Sequence, residues 1–261
     1  MLLVIDVGNT NTIFGIYEQK KLLFHWRVKS DQQATEDEYA MVLNSLMDYK
    51  GIAFKQIAGM IISSVVPPLT FTLRKLAEKY LGIEPIILGP GVKTGLNIKY
   101  DSPKEVGADR IANAVAAIHL YSSPVIIVDF GTAITFCLVD ESGNYQGGAI
   151  VPGVKISVEA LYQQAAKLTH IEIVKPESVI GRNTVSAMQS GIFYGYVGMV
   201  DGIVGHMKLL LNKQPKVIAT GGMAELICSG THQIDVVHPF LTLEGLRLIY
   251  EKNRGHSLEN K

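Results

Sequence analysis

Two short segments combine an aspartate with small polar residues at the end of an apolar run, which suits phosphate chemistry. The first, DVGNTNTIFGIY, starts at Asp6, and the second, DFGTAITFCLVD, starts at Asp129. Backbone N–H groups in a turn of glycine and threonine can form a concave site for phosphate oxygens. The carboxylate would not bind phosphate itself, because like charges repel, but Mg²⁺ binds one or two carboxylates together with substrate phosphates. The pair of segments therefore predicts a polyphosphate site.

The two segments align without gaps and share Asp, Gly and Thr at their first, third and seventh positions. A duplicated supersecondary unit predicts two related α/β halves, which we expect to pack around a cleft. One such turn alone could be a hairpin turn that binds nothing, but duplication at the ends of two buried strands favours a nucleotide site. A third turn, Thr220 to Gly222, runs from a strand straight into a helix and would let a base and ribose approach closely.

Different chemistry is expected from YDSPKEVGADRIANAVAAIHLY, residues 100–121, whose later positions are typical of a helix. In its predicted first turn, Arg110 offers a planar fork for a carboxylate and Asp109 could accept a proton. Gly107 would expose backbone amides. Together these groups suit a substrate with an acid at one end and a hydroxyl at the other. The alternative is that Asp109 is only a favourable charge near a helix N-terminus.

Strands and helices alternate along the chain and position these residues. Apolar runs predict strands at residues 2–6, 12–18, 22–28, 57–63, 125–128, 133–139, 145–150 and 216–219. Helical spacing and proline starts predict helices through 39–47, from 67 to about 80, over 108–121, from 154, over 184–211 and over 242–253.

Composition excludes several classes of partner. The 261 residues are 48% hydrophobic and carry 24 basic and 24 acidic side chains, without the basic patch expected of a nucleic-acid or anionic-membrane protein. The sequence has no uncharged apolar window of about 18 residues, so no membrane span is predicted. No basic leader precedes the first apolar run. The two cysteines lack metal or redox spacing, and the seven histidines lack ligand spacing. We therefore expect a cytoplasmic protein without a histidine metal site.

With these residues in place, the chain resembles the type III pantothenate kinases, of the acetate and sugar kinase, Hsp70 and actin superfamily. The resemblance covers nearly the whole length and rests on DVGNTNT, GADR with the following IAN, DFGTAIT, GGAIVPG, GRNTVSAMQSG and TGG. It implies two ribonuclease-H-like (actin-like ATPase) domains with a cleft between them, over residues 1–118 and 119–261, with the helix at 242–253 packing back on the first. It also implies a homodimer that transfers the γ-phosphate of ATP to pantothenate, the first step of coenzyme A biosynthesis.

The resemblance assigns roles to individual positions. Asp109 would be the general base, and the other pantothenate-binding residues would be Tyr100, Gly107, Ala108, Arg110 and Thr184. Asp129 would bind a monovalent cation, K⁺ or NH₄⁺, and Asp6 would lie near Mg²⁺, directly or through water. The ATP-binding residues would be Asp6, Val7, Gly8, Asn9, Thr10, Asn11, Thr12, Ile13 and Thr132.

Two other functions compete with this one. A phosphohydrolase of the same superfamily would use water as acceptor and should lack a compact acid-recognition motif such as Gly107 to Arg110. A non-catalytic regulator of the Bvg accessory factor type belongs to the same family, and loss of Asp109 or Asp129 would have favoured it, but both residues are present.

Small residues form a continuous stripe along the helix predicted at 184–211. They are Ala187, Gly191, Gly195, Gly198, Gly202 and Gly205. Each helical glycine costs roughly 1 kcal/mol relative to alanine, so a compensating contact is expected. That contact is either a neighbouring helix of the same domain or the counterpart helix in a twofold dimer, which would carry Thr184 toward the partner's pantothenate pocket.

Overall fold

The computed structural model describes residues 1–165, 168 and 170–254, which fall into two compact units. Unit 1 consists of Met1–Gly95, Ser102–Ala116 and, among the described residues, the C-terminal segment from Thr242 to Arg254. Unit 2 consists of Leu96–Asp101 and Ala117–Leu241. Both units are α/β, each with one mixed sheet, which confirms the predicted α/β class. None of the described helices is both long and apolar enough to cross a membrane.

Unit 1 contains a five-stranded sheet whose central strand ends at the first aspartate turn. Its strands are β1 (Leu2–Val7), β2 (Asn11–Glu18), β3 (Lys21–Lys29), β4 (Gly59–Ser64) and β5 (Ile86–Ile87). Their order across the sheet is β3-β2-β1-β4-β5. β1 is antiparallel to β2 and parallel to β4. The predicted apolar strands are thus confirmed, and β1 is buried between two partners.

One face of this sheet packs on α1 (Glu36–Asp48) and α2 (Pro67–Leu76). α1 begins at Thr35, whose side chain forms a capping box with Glu38, and α2 begins at the proline that the sequence predicts. The shared core contains the odd-numbered residues of β1 together with residues of both helices: Leu3, Ile5, Val7, Leu43, Met47, Leu69 and Leu73. Because side chains alternate along a strand, Asp6 lies on the other face.

That other face carries α7 (Leu241–Arg254), which in turn contacts the start of α3 (Ala108–Tyr121). A Cβ at Gly15 would lie 3.0 Å from Leu243, and one at Gly59 would overlap the Tyr250 ring. A Cβ at Gly245 would overlap the backbone of Ala112, so glycine is needed for this close approach of the two helices. The Thr242 hydroxyl also hydrogen-bonds Asn113 Oδ1 at 2.8 Å.

Unit 2 contains a six-stranded sheet built on the same plan. Its strands are β6 (Asn97–Ile98), β7 (Val125–Phe130), β8 (Ala133–Val139), β9 (Asn144–Pro152), β10 (Lys216–Gly221) and β11 (Val236–Val237). Their order is β11-β10-β7-β8-β9-β6. The helices are α4 (Val154–Gln164), α5 (Thr184–Lys208) and α6 (Ala224–Cys228), so the predicted helix at 184–211 ends three residues earlier than expected. The core joins this sheet to α5 through Phe193, Val197, Val200 and Val204.

The internal duplication is real, but the gap-free alignment is wrong by one residue after the turn. The order β3-β2-β1-β4-β5 in unit 1 corresponds to β9-β8-β7-β10-β11 in unit 2. In unit 1, Val7 pairs with Thr12 across the turn, whereas in unit 2 Phe130 pairs with Ile134. The second turn is therefore one residue shorter. A one-residue slip moves a side chain to the other face of the sheet, so Thr12 and Thr135 are not structural equivalents.

Candidate functional site

The first aspartate turn leaves β1 with its polar tip exposed. The Gly8 N–H donates to the Asn11 carbonyl at 3.0 Å and closes the turn. Asn9, Thr10 and Asn11 are exposed at its tip, while the Val7 side chain lies in the core. Asp6, half-buried, pairs with Ile13 on β2. The turn thus presents backbone and small side chains to solvent, next to one carboxylate.

Ser30, which the sequence interpretation missed, stabilises this turn by hydrogen bonds. The Ser30 hydroxyl donates to the Gly8 carbonyl at 2.6 Å, and the Ser30 N–H donates to the Thr10 carbonyl at 3.0 Å. Thr12 is fully buried and its hydroxyl lies 2.9 Å from the Ser30 hydroxyl. Because a hydroxyl has one hydrogen, Thr12 donates here. The Thr12 hydroxyl therefore stabilises the turn from inside and does not lie on the exposed surface of the turn. No sequence pattern links residue 30 to residue 8.

The start of α3 holds the predicted base in a defined position. The Gly107 carbonyl accepts the first helical hydrogen bond, from the Ile111 N–H at 3.1 Å. The Arg110 N–H donates to Asp109 Oδ1 at 2.8 Å. Burial raises the pKa of the Asp109 carboxyl, against the opposing effect of the hydrogen bond from Arg110. A Cβ at Gly107 would overlap Asp109 Oδ1, so glycine leaves room for the carboxylate. Ala108 and Arg110 are buried.

Asp6 lies on the sheet face that α7 covers, and α7 also contacts α3. Asp6 points away from the core formed with α1 and α2, toward the face that α7 covers. α7 contacts α3 through Gly245 and Ala112, one turn after Asp109. A single unit therefore carries the turn suited to phosphate, the carboxyl group with a raised pKa and the buried Arg110.

The second aspartate turn, in unit 2, is equally shaped by glycines. The Gly131 N–H donates to the Ala133 carbonyl at 3.1 Å, and the Gly153 N–H donates to the carbonyl of the exposed Thr132 at 3.0 Å. Gly221 has φ +92°, and a Cβ there would lie 2.7 Å from Asp129 Oδ1. The glycine of the predicted TGG turn is thus required both by its backbone conformation and by the space that the Asp129 carboxylate occupies.

Thr135 is a candidate residue that the gap-free alignment matched to Thr12 and that the structure places beside Asp129. It pairs directly with Asp129 across β7 and β8, so both side chains lie on one face of the sheet. Thr220 pairs with Asp129 from the other side, on β10. Two hydroxyl-bearing residues therefore flank the carboxylate that was predicted to bind a monovalent cation.

Tyr100 and Thr184, both predicted to bind the acceptor, lie at different places in unit 2. A Cβ at Gly147, which has φ +107°, would lie 3.1 Å from the Tyr100 ring, so the ring packs directly on this glycine. Thr184 is exposed at the start of α5, which the Asn183 side chain caps. Thr184 lines an open depression of about 610 Å³, and Tyr100 is not among its described lining residues.

Neither turn forms a closed metal cage. Among the described residues there is no group of three or more His, Cys, Asp or Glu side chains that could hold a metal ion. His256 lies outside the described residues. A single carboxylate in each turn suits a cation that is also bound by phosphate oxygens, which is the way Mg²⁺ is commonly held.

A family model identifies the family of the chain, and solved structures show its fold. The family model described as type III pantothenate kinase matches residues 2–206, a range that contains every predicted site residue. A Baf family transcriptional activator from Campylobacter jejuni is 18% identical with a TM-score of 0.64, covering 97% of this chain and 99% of that one.

Two further solved structures share the fold. The activator of 2-hydroxyisocaproyl-CoA dehydratase from Clostridium difficile, with bound ADPNP, is 12% identical with a TM-score of 0.55, covering 100% of this chain and 98% of that one. Component A of (R)-2-hydroxyglutaryl-CoA dehydratase from Acidaminococcus fermentans is 14% identical with a TM-score of 0.52, covering 97% and 98%. At these identities the solved structures support the fold alone. The function of the chain must be argued from the site itself.

Proposed function

The chain belongs to the type III pantothenate kinase family, and on that premise we propose that it phosphorylates pantothenate with ATP. The product would be 4'-phosphopantothenate, formed in the first step of coenzyme A biosynthesis. Family membership supports kinase activity in general. The observation that carries the specific proposal is the start of α3, where a carboxyl group with a raised pKa adjoins a buried arginine.

In this proposal Asp109 accepts the proton of the attacking hydroxyl. A carboxylate whose pKa is raised by burial is a stronger base than an exposed one. Its Oδ1 accepts the Arg110 N–H at 2.8 Å, which fixes the side chain. The Arg110 guanidinium pairs with the carboxylate of pantothenate, a contact that a planar fork makes well. Gly107 and Ala108 are proposed to bring backbone to the substrate, and Tyr100 and Thr184 are the other proposed pantothenate-binding residues.

The two aspartate turns are proposed to serve ATP and its cations. The exposed turn from Gly8 to Asn11 binds phosphate oxygens, and Asp6 holds Mg²⁺ directly or through water. Mg²⁺ supplied with ATP neutralises charge on the phosphates. In unit 2, Thr132 contacts ATP. Asp129 binds K⁺ or NH₄⁺, and Thr135 lies beside it. One carboxylate and neighbouring oxygen atoms fit such a weakly bound ion.

The proposal includes a cytoplasmic homodimer. The glycines of α5 support the dimer, because at Gly191, Gly195, Gly198, Gly202 and Gly205 a Cβ would have no heavy atom of the described residues within 4 Å. No helix of the described residues therefore packs against these glycines, and a second copy is the proposed occupant. Thr184, at the start of the same helix, would then complete the partner's pocket.

Pantothenate-dependent release of ADP tests the function. The purified protein, with ATP and Mg²⁺, should release ADP only when pantothenate is added, and faster with K⁺ present. Asp109→Asn is the matched control, since it keeps the size of the side chain and removes the proton acceptor. ATP hydrolysis that is indifferent to pantothenate would favour the phosphohydrolase, and no turnover with any acceptor would favour the regulator.

A further inference from the structure

A buried serine hydroxyl lies beside Asp6 and takes no part in the contacts described above. Ser63 on β4 is 0% exposed, and its Oγ has no hydrogen-bond partner among the described residues. Leaving a buried hydroxyl without a partner is costly, and such groups are uncommon in native proteins. Ser63 therefore needs an explanation.

The strand register places Ser63 next to the first aspartate turn. Asp6 on β1 pairs with Ser63 on the parallel strand β4. Residues paired in this way carry their side chains on the same face of the sheet. Ile62, the residue before Ser63, belongs to the core formed with α1 and α2, so the Ser63 hydroxyl lies on the opposite face, together with the Asp6 carboxylate.

The next serine shows that the unpaired state is specific to Ser63. The Ser64 hydroxyl donates to the Val66 carbonyl at 3.1 Å and accepts the Val66 N–H at 3.1 Å. These two hydrogen bonds stabilise the turn that leads into α2. Two adjacent serines thus have different surroundings, one satisfied by its own chain and one beside the carboxylate.

The duplicated unit also has a buried hydroxyl-bearing residue at the corresponding position. In unit 2, Asp129 pairs with Thr220 on the parallel strand β10, and Thr220 is 2% exposed. Both units therefore place a buried hydroxyl-bearing residue beside their aspartate, on the corresponding strand. Packing alone does not require a polar residue at this position in both sheets.

We propose that Ser63 is a positioning residue of the nucleotide site, whose hydroxyl hydrogen-bonds a water molecule of the Mg²⁺ that Asp6 holds with ATP. Mg²⁺ usually keeps several of its waters, and each needs an acceptor. A hydroxyl offers two acceptor lone pairs and one donor without adding charge. The inference rests on the proposed function, because it takes the Asp6 turn as the phosphate site.

Calorimetric titration with ATP tests the role of Ser63, once with Mg²⁺ and once with EDTA. Ser63→Ala should weaken binding of ATP with Mg²⁺ by about tenfold, the effect of one hydrogen bond. Binding of metal-free ATP should be unchanged. The melting temperature of ligand-free Ser63→Ala should be equal to or above that of the wild type, because the variant removes an unpaired buried group.

Ser64→Ala is the matched control. It should lower the melting temperature and leave ATP binding in Mg²⁺ unchanged, because its hydroxyl bonds only Val66 in the described structure. Equal affinity of Ser63→Ala and wild type for ATP with Mg²⁺, or equal losses with and without Mg²⁺, would overturn the inference.

The same titration separates failure of this inference from failure of the proposed function. If the wild type does not bind ATP with Mg²⁺, both are wrong. If it binds ATP and the Ser63→Ala effect depends on Mg²⁺, but pantothenate is not phosphorylated, the role of Ser63 stands and the proposed substrate is wrong.

Discussion

Gly107→Ala tests whether the position of the Asp109 carboxylate sets the rate. A Cβ at residue 107 would overlap Asp109 Oδ1 and lie 3.6 Å from its Cγ. The carboxylate must therefore move, by on the order of 1 Å, and a displacement of this size can lower turnover by about 10²-fold. The substitution changes no charge. Gly107 also lies outside the left-handed region, so alanine fits its backbone and the protein should fold.

Steady-state kinetics of pantothenate phosphorylation should compare wild type, Gly107→Ala, Asp109→Asn and the double variant. If Gly107→Ala acts through Asp109, the double variant should be no slower than Asp109→Asn alone, because residues that act as one unit are not additive. Gly89→Ala is the control glycine in the same unit, since a Cβ there would have no described heavy atom within 4 Å. Full turnover of Gly107→Ala, or multiplicative losses in the double variant, would refute the reasoning.

Four further outcomes are expected. Asp109→Asn should lower kcat by about 10²- to 10⁴-fold and remove the acid limb of the pH–rate profile. In the wild type that limb should lie above the ordinary carboxyl range, because burial raises the pKa of Asp109; an unchanged profile in the variant would show that another group titrates. Between the ordinary and the raised pKa of Asp109, the folded protein binds more protons than the unfolded chain. The contribution of Asp109 to stability should therefore fall as pH rises through that window. In denaturant titrations, the difference in free energy of unfolding between Asp109→Asn and wild type should shrink in acid. Asp129→Ala should abolish stimulation by K⁺, measured as the ratio of rates with and without the ion, and an unchanged ratio would place the ion elsewhere. Gly198→Leu and Gly202→Leu should remain folded, because a Cβ at either position would have no described heavy atom within 4 Å, but should sediment as monomers with poor pantothenate affinity; persistent dimers would place the dimer contact elsewhere.

A stability test addresses the attachment of α7. Arg247 is 2% exposed and pairs with Glu244 and Glu251. Glu244 is 15% exposed and Glu251 is 45% exposed. Arg247→Ala should therefore lower the free energy of unfolding in urea, but by less than the about 3–5 kcal/mol typical of a fully buried ion pair. Arg74→Ala breaks pairs with Glu78 and Glu84, in which every side chain is at least 48% exposed, and should change the free energy of unfolding little. Equal effects of the two variants would contradict the role given to Arg247.

The strands and both aspartate turns could be predicted because they depend on local patterns. β1 and β7 are apolar runs that end at Asp6 and Asp129, and prolines and caps mark several helix starts. The register after each turn could not be predicted, since a difference of one residue in turn length leaves the shared Asp, Gly and Thr in the sequence unchanged. The alignment therefore matched Thr135 to Thr12, and only the strand register shows that Thr135 pairs with Asp129.

Contacts between distant parts of the chain also could not be predicted from the sequence. Ser30 supports Gly8 across 22 residues, and Ser63 meets Asp6 only through the parallel pairing of β1 and β4. The stripe of glycines on α5 was visible, but only the structure shows that its described surroundings are open. Local patterns thus predicted which residues could do chemistry, and strand pairing determined which of them lie together.

The identity of the product tests the proposed activity most directly. The protein should be incubated with ATP, Mg²⁺, K⁺ and pantothenate, and the products separated and weighed by mass spectrometry. We expect a species heavier than pantothenate by one phosphate group, formed in step with ADP and nearly absent with Asp109→Asn. Inorganic phosphate released in step with ADP, with pantothenate recovered unmodified, would contradict the assignment of pantothenate as the acceptor.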